Sequence, residues 1–312
     1  MTAKVIAIVN RKGGVGKTTL TLALADVLRF DSERPKGEQT ILAADFDPQA
    51  SLSQALLYDN NPAEHRKRYT NVIEGGMTLK KALEDRSDRR KKAPALSLKA
   101  GVGPNGSPYH LLAADPSLWD HERAELQGRS GEGGLIARTQ SVIDAARQEF
   151  SEWVLIDCPP GQTVLAEAAI RSADLILCPT TPDHLSFWGL KNFQEYIQNL
   201  FKEEGRDPPP AFWVLNGFRA PRDAGLQREI IAQLEKQQTE RLPVQLLRES
   251  SEGPEGAPIL VPKNASIQKR LKGAPNLNKV WPWDRVYDER VRNALNRIAS
   301  AMRSELGVGA NG

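Results

Sequence analysis

The chain has 312 residues, which suits one large α/β domain or two small ones, and its 40% hydrophobic content can build a substantial core. Its 42 basic and 39 acidic residues give a net charge of only +3, so any contact with nucleic acid must come from a local basic patch. The two cysteines, Cys158 and Cys178, form no CxxC pair, which argues against a disulfide framework and favours a reduced, intracellular compartment. No apolar stretch reaches the roughly 18 residues that a transmembrane helix needs, and the N-terminal apolar run is too short for a signal peptide.

Short apolar runs alternate with longer helical patterns along the chain. We predict strands at Lys4–Val9, Thr40–Asp45, His110–Ala114, Trp153–Asp157, Leu175–Pro179 and Phe212–Asn216. We predict helices at Thr18–Leu28, Ala50–Leu57, Leu135–Phe150, Thr163–Arg171, His184–Lys202, Ala224–Gln238 and Asp284–Leu306. This alternation indicates an α/β fold with a mainly parallel, twisted sheet that carries helices on both faces.

Three stretches interrupt the pattern and are predicted to be loops. Arg86–Pro108 is basic and rich in Gly, Pro and Ser, Gly205–Pro210 contains three consecutive prolines, and Ser250–Pro258 is a further cluster of helix breakers. No internal repeat or domain boundary is visible, so residues 1–312 are predicted to form a single domain with a loop insertion at 86–108. The tail Gly307–Gly312 is expected to be mobile.

The strongest motif is Arg-Lys-Gly-Gly-Val-Gly-Lys-Thr-Thr at residues 11–19, between the first predicted strand and the first predicted helix. Glycines let the backbone turn tightly and direct several N–H groups inward, and the helix N-terminus adds positive potential at the same place. Lys17 is therefore predicted to reach the β- and γ-phosphates of a nucleotide, and the Thr18 hydroxyl to complete a magnesium shell. The alternative is a glycine-rich turn that binds nothing, which the extent of the match and its context disfavour.

The loop departs from the usual GxxxxGK[ST] pattern, because Arg11 takes the place of the first glycine and Lys12 follows it. This form resembles the deviant loop of the ParA/MinD family of P-loop ATPases. The resemblance implies a P-loop NTPase fold, ATP and Mg²⁺ as cofactors, and a Lys12 that reaches across an ATP-dependent homodimer to the partner's nucleotide. It implies that the nucleotide is held by Lys12, Gly13, Gly14, Val15, Gly16, Lys17, Thr18 and Thr19.

Two acids close the second predicted strand, in the run Asp45-Phe46-Asp47-Pro48-Gln49. Side chains two apart on a strand point to the same face, so both carboxylates are predicted to face the nucleotide. The run resembles the D-x-D-P-Q motif of the same family, which implies that Asp47 orients the attacking water and that Asp45 supports the magnesium site. The alternative is a strand-end turn, since Asp-Pro commonly starts one.

Asp157 ends the apolar run Trp153-Val154-Leu155-Ile156, as in a Walker B motif, and is predicted to hold magnesium through water. The Pro-Pro-Gly that follows at 159–161 resembles the switch segment of the family. Cys158, which lies between the two, is interpreted as a small buried packing residue.

Two positions are assigned to the adenine side by resemblance alone. In relatives an Asn near Asn216 pairs with adenine, although a strand-end turn residue is nearly as good an interpretation. Val261-Pro262-Lys263-Asn264 resembles a segment whose proline, here Pro262, lines the adenine in relatives.

Basic residues cluster in the last third of the chain, where ParA-type dimers bind DNA non-specifically. Contacts of this kind go to phosphates and weaken steeply with salt, but a charged, solvated face is an equally good interpretation of any one residue. The DNA-binding candidates are Lys263, Lys269, Arg270, Lys272, Arg290, Arg292 and Arg297, with Arg303 further along the last helix.

The last predicted helix is amphipathic, with Val291, Leu295, Ile298, Met302 and Leu306 at helical spacing. MinD relatives end in a basic amphipathic helix that lies on the membrane, whereas a helix packed on the sheet needs no such surface. Acidic residues dilute its positive face, so we expect packing and do not expect a membrane partner.

The resemblance implies a cytoplasmic, nucleoid-associated ATPase that hydrolyses ATP to ADP and phosphate. It would bind non-specific DNA as an ATP-bound dimer and segregate plasmid, chromosome or protein cargo with a ParB-like partner that stimulates hydrolysis. Two alternatives share the loop: a MinD-like membrane-associated positioning ATPase and an ATP-dependent metabolic synthetase.

Overall fold

The computed structural model describes most of the chain. The described residues are 2–30, 41–59, 61–84, 98–102, 108–128, 134–181, 184–218, 225, 228–232, 235, 244–249, 257–263 and 287–308.

One sheet forms the centre of the described structure. Its strands are β1 (Lys4–Ile8), β2 (Ile41–Asp45), β3 (Leu98–Val102), β4 (Pro108–Leu112), β5 (Trp153–Asp157), β6 (Leu175–Thr180), β7 (Ala211–Phe218), β8 (Val244–Leu246) and β9 (Leu260–Pro262). They lie in the order β3-β4-β2-β5-β1-β6-β7-β8, with β9 also paired to β7. Every pair is parallel except β3 with β4, which is antiparallel. The predicted mainly parallel sheet is thus confirmed.

Helices cover both faces of the sheet. They are α1 (Lys17–Phe30), α2 (Ser51–Leu56), α3 (Pro62–Glu74), α4 (Leu79–Glu84), α5 (Leu118–Leu126), α6 (Gly134–Glu149), α7 (Val164–Ser172), α8 (His184–Glu203) and α9 (Glu289–Glu305). The side chains of β1 alternate between two apolar clusters: Val5 and Ala7 face α6 and α7, whereas Ile6 and Ile8 face α1 and α9. Both faces of the central strands are therefore dry, as their continuous apolar sequence predicts.

The register brings the carboxyl ends of three strands to one level. Ile8 of β1 pairs with Asp157 of β5, and Asp157 in turn pairs with Asp45 of β2. Because parallel strands end at the same edge, the loops after β1, β2 and β5 meet there. These are the loops that carry the predicted nucleotide-binding residues.

Several boundaries differ from the sequence predictions. The loop predicted at Arg86–Pro108 is wrong in part, because Leu98–Val102 is β3, an edge strand on β4; residues 85–97 and 103–107 lie outside the described part of the chain. The helix predicted at Ala224–Gln238 is described only at 225, 228–232 and 235, all helical. Helices α3, α4 and α5 and strands β8 and β9 were not predicted. Of the predicted mobile tail, 309–312 lie outside the described residues.

Candidate nucleotide-binding site

The glycine-rich loop lies between β1 and α1, and two of its glycines have backbone conformations that favour glycine. Gly14 has φ +76° and Gly16 has φ +94°, where a side chain would strain the backbone. A Cβ on Gly16 would also lie 2.1 Å from Nδ2 of Asn216. The loop therefore needs glycine at 16 on two counts, and its amides precede the N-terminus of α1, a favourable site for an anion.

Lys17 folds back across this loop. It is the first residue of α1, and its Nζ donates to the carbonyl oxygens of Asn10 at 3.1 Å and Lys12 at 3.2 Å. Burial lowers the pKa of Lys17, and the nearby carboxylate of Asp157 opposes that shift. A buried ammonium held among backbone groups is well placed to compensate the charge of a phosphate.

Asp157 and Thr18 meet at the base of the loop. Asp157 is fully buried at the end of β5, and its carboxylate is hydrogen-bonded by the Thr18 side chain and, at 3.4 Å, by Oγ1 of Thr21. Burial raises the pKa of Asp157, and the neighbouring Asp45 raises it further. Its Oδ2 has no hydrogen-bond partner among the described atoms.

These groups fit a hydrated Mg²⁺. A buried carboxylate oxygen without a partner is costly, and a divalent cation would both satisfy it and relieve the repulsion between Asp157 and Asp45. The described residues contain no cluster of three or more His, Cys, Asp or Glu side chains that could hold a metal. Mg²⁺ keeps several waters and uses few protein ligands beside phosphates, so Thr18 and Asp157 could hold it together with water.

Asp45 is not among the described residues that line the cavity, and its support of the magnesium site stays a prediction. Its Oδ2 accepts hydrogen bonds from the backbone N and from Oγ of Ser53, both at 2.7 Å, and its Oδ1 accepts from the backbone N of Asp47 at 3.2 Å. β2 ends at Asp45, and Asp47 lies two residues beyond the end of the strand. Asp45 ties the end of β2 to α2.

Asp47 does line the cavity beside the glycine-rich loop. Its Oδ1 accepts from the backbone N of Gln49 at 2.9 Å, and its carbonyl accepts from Ala50 at 2.7 Å. Burial raises the pKa of Asp47, while the hydrogen bond from Gln49 and the charge of Lys17 lower it. Ala50, which closes this turn, has the left-handed φ of 54° that L residues avoid, so the turn holds Asp47 at the cost of local strain.

The cavity beside the loop has a volume of about 650 Å³, within the range of ligand sites. It is lined by Gly13, Gly14, Gly16, Lys17, Thr18, Thr19, Asp47, Ser51, Gln54, Ala55, Tyr58, His65 and Pro160. The sequence did not predict the cavity wall formed by α2, α3 and the connection between them. In this wall the ring of Tyr58, in the connection, lies 5.5 Å from the ring of His65, in α3. The Asn61-Pro62 pair, a helix-start signal that we did not use, marks the beginning of α3.

Of the two residues predicted on the adenine side, Asn216 lies within β7 and Pro262 is the last residue of β9. Asn216 donates from Nδ2 to the carbonyl oxygen of Val15 at 2.9 Å, so the structure brings it to the glycine-rich loop. Pro262 pairs with Phe218 across the β7–β9 ladder and is not among the described cavity residues.

The basic residues predicted to bind DNA differ in exposure and in their contacts. Lys263 and Arg290 are exposed. Arg292 donates to the Tyr287 carbonyl at 3.3 Å, and Arg297 forms an ion pair with Glu249 at 2.9 Å. The remaining candidates Lys269, Arg270 and Lys272 lie outside the described residues.

The last helix packs on the protein, as we expected. Val291, Leu295, Ile298 and Met302 are fully buried against α1 and the sheet. The Tyr287 hydroxyl, just before α9, donates to Oδ2 of the buried Asp26 on α1 at 2.9 Å. In the part of the chain that the structure describes, no helix combines the length and hydropathy that a bilayer span requires.

A family model described as an AAA domain (AAA_31) matches residues 3–207, more than half of the chain. The chain belongs to this AAA domain family. Among its relatives are the chromosome partitioning protein ParA of Caulobacter vibrioides, 28% identical over 63% of this chain and 63% of that protein, and Soj of Bacillus subtilis, 22% identical over 65% and 68%. The resemblance to ParA-type ATPases is thereby confirmed.

Coverage differs among the relatives. A putative replication protein A of Rhizobium rhizogenes is 29% identical over 204 residues. This match covers 64% of the chain and 45% of that relative's length. A Pseudomonas putida protein is 25% identical over 96% of this chain and 93% of its own length.

The AAA domain shares its fold with solved structures of different activity. Cyanothece McdA gives a TM-score of 0.65 at 18% identity, covering 96% of this chain and 99% of McdA. Cobyrinic acid a,c-diamide synthase of Mycobacterium smegmatis, solved with an ATP analogue and magnesium, gives 0.65 at 18% identity, covering 96% and 94%. At these identities the likeness shows the P-loop NTPase fold and no more.

Proposed function

We propose that this chain is an ATPase that binds ATP with Mg²⁺, dimerises in the ATP-bound state and acts in partitioning or positioning. One observation carries the proposal: Lys17, Thr18 and Asp47 line a single cavity beside the glycine-rich loop, and the Thr18 side chain is hydrogen-bonded to the buried Asp157. The presence of ATP in the McdA complex and of an ATP analogue with magnesium in the synthase supports the choice of ligand.

The residues divide the work of hydrolysis. The loop amides and Lys17 bind the phosphates, and Thr18 and Asp157 would hold Mg²⁺, directly and through water, where the ion supplies charge neutralisation for phosphoryl transfer. Asp47, fixed by its turn at the cavity wall, orients the attacking water. Asn216, whose Nδ2 donates to the Val15 carbonyl of the loop, would contact the base.

Dimerisation and DNA binding complete the proposal. Lys12 reaches the partner's nucleotide and locks the dimer, and the ATP-bound dimer holds non-specific DNA through exposed basic residues such as Lys263 and Arg290. A ParB-like partner stimulates hydrolysis and so releases the dimer. The named partitioning relative ParA supports this role over a metabolic one.

The deciding experiment measures molar mass and ATPase rate, with and without DNA, for wild type, Lys12→Ala and Arg11→Ala. We expect an ATP-dependent dimer in wild type and in Arg11→Ala, which removes a neighbouring charge, and a monomer in Lys12→Ala. Normal dimerisation of Lys12→Ala would contradict the role of Lys12. Turnover that requires a small metabolite and yields stoichiometric product would replace the proposal with a synthetase, and co-sedimentation with vesicles would favour a membrane ATPase.

A further inference from the structure

The segment that joins β5 to α7 contacts the site at several points. This switch segment (Asp157–Thr163) begins with the carboxylate assigned to magnesium, and Pro160 within it lines the cavity. The backbone N of Gly161 donates to the Arg11 carbonyl at 2.9 Å, which fastens the segment to the glycine-rich loop. Gly161 itself has φ +92°, so the segment turns sharply at this contact.

The far end of the switch segment is fixed by α5. Glu122, only 5% exposed, accepts from the backbone N of Val164 at 3.1 Å through Oε2 and from that of Leu165 at 2.9 Å through Oε1. The next amide, Ala166, is capped by the Thr163 hydroxyl at 3.1 Å, and that side chain also hydrogen-bonds Glu122. The first three amides of α7, which have no partner inside the helix, are thus all satisfied by side chains.

A carboxylate at a helix N-terminus interacts favourably with both the amides and the helix dipole. The chain from Asp157 to Val164 is short, so the place at which α7 begins determines where Pro160 and Gly161 lie. We propose that Glu122 is a positioning residue for ATP hydrolysis, which sets the switch segment against the cavity by fixing the start of α7. This inference rests on the proposed ATPase function.

Helix α5 also contains a residue, Glu125, that can serve as a matched experimental control. Glu125, one turn further on, accepts from the backbone N of Leu135 at 2.8 Å and so caps the start of α6 in the same manner. None of the described residues that line the cavity belongs to α6. Glu125→Gln therefore removes the charge of a capping carboxylate from the same helix while leaving the switch segment anchored.

The test compares Glu122→Gln with Glu125→Gln. A Gln amide can present one acceptor but turns an NH₂ group toward the second backbone donor, so one of the two bonds is lost. We expect Glu122→Gln to lower kcat about tenfold or more, since sub-ångström misplacement is costly, with the ATP Kd changed less than threefold. Glu125→Gln is expected to keep wild-type kcat with a smaller loss of thermal stability, because the Gln oxygen can still accept from the backbone N of Leu135.

A second measurement does not depend on activity. Hydrogen exchange of the Val164 and Leu165 amides in the nucleotide-free protein should quicken in Glu122→Gln and not in Glu125→Gln. Unchanged exchange there, equal kcat in both variants, or a loss of ATP affinity that matches the loss of kcat would each overturn the inference. If wild type hydrolyses no ATP, the proposed function fails, whereas the exchange result still reports on the anchor.

A variant that keeps the charge covers the case in which Glu122→Gln does not fold. Glu122→Asp retains the carboxylate on a shorter side chain, so it must pull the start of α7 toward α5 or give up a bond. Wild-type kcat in Glu122→Asp would also overturn the inference.

Discussion

Single residues set the geometry of the glycine-rich loop, and Gly16 is the most constrained of those described. Gly16→Ala adds a Cβ in the left-handed region and forces Asn216 to give up its bond to Val15. We expect it to destabilise the nucleotide-free protein by about 2–3 kcal/mol, from backbone strain plus a lost hydrogen bond. Gly13→Ala is the control, because a Cβ there meets no atom within 4 Å. Urea unfolding of both variants checks the difference, and equal midpoints would contradict it.

Asp45 gives the fold a pH dependence. Burial raises the pKa of Asp45 to about 7, so the folded chain retains a proton that the unfolded chain has lost. Stability contributed by that proton is present at low pH and is lost as the pH rises from about 4 toward 7.

Asp45→Asn removes this titration while keeping the size of the side chain. The fall in unfolding free energy between pH 5 and pH 8 should shrink by about 3 kcal/mol relative to wild type, measured without magnesium or nucleotide. Asp120→Asn on the exposed side of α5 should leave the fall unchanged. Parallel pH curves for Asp45→Asn and wild type would show that Asp45 does not titrate in this range.

At the scale of elements, α9 belongs to the core. Leu295→Ala deletes a fully buried side chain and should cost about 2–5 kcal/mol of unfolding free energy. Asn296→Ala, on the exposed side of the same helix, should change it by less than about 0.5 kcal/mol. Denaturant titration of the two variants distinguishes them, and a negligible cost for Leu295→Ala would mean that the apolar face does not pack on α1.

The elements that the sequence predicted well are those with long, dry patterns. The run Trp153–Asp157 coincides with β5 because both its faces are covered, which leaves a continuous apolar signature. Helix α3 was missed because its only described fully buried residue is Val72, so its apolar periodicity is weak. Strands β8 and β9 have three residues each, too few for a period to show.

In the candidate site, local motifs were predicted from the sequence, whereas contacts between residues distant in sequence were not. A loop motif such as residues 11–19 is local, so its structure can be inferred from neighbours in the chain. The orientation of Asp45 depends on Ser53 of α2, and the anchor of the switch segment on Glu122, 42 residues before Val164. Contacts of that kind are set by tertiary packing and leave no spacing signal in one sequence.

At the scale of the whole molecule, a net charge of +3 means that the proposed DNA binding depends on a local basic surface. Binding of an ATP-bound dimer should weaken linearly in log K against log salt, with a slope of about −0.9 for each phosphate contacted. Arg290→Glu should reduce both affinity and slope, whereas Lys80→Glu on α4, which packs on the opposite sheet face from α9, should change neither. Filter retention over a salt series measures both, and identical slopes would remove Arg290 from the interface.

The two buried cysteines allow local unfolding of the chain to be measured by thiol labelling. Cys158 follows Asp157 and Cys178 lies in β6, and both thiols are fully buried, which raises their pKa and suppresses the reactive thiolate. Maleimide should therefore modify them only when the structure around the carboxyl ends of β5 and β6, next to the glycine-rich loop, opens transiently. Labelling that slows as ATP is added would give an affinity without any measurement of turnover, and a cysteine engineered at an exposed position could carry a fluorophore with both native thiols left in place.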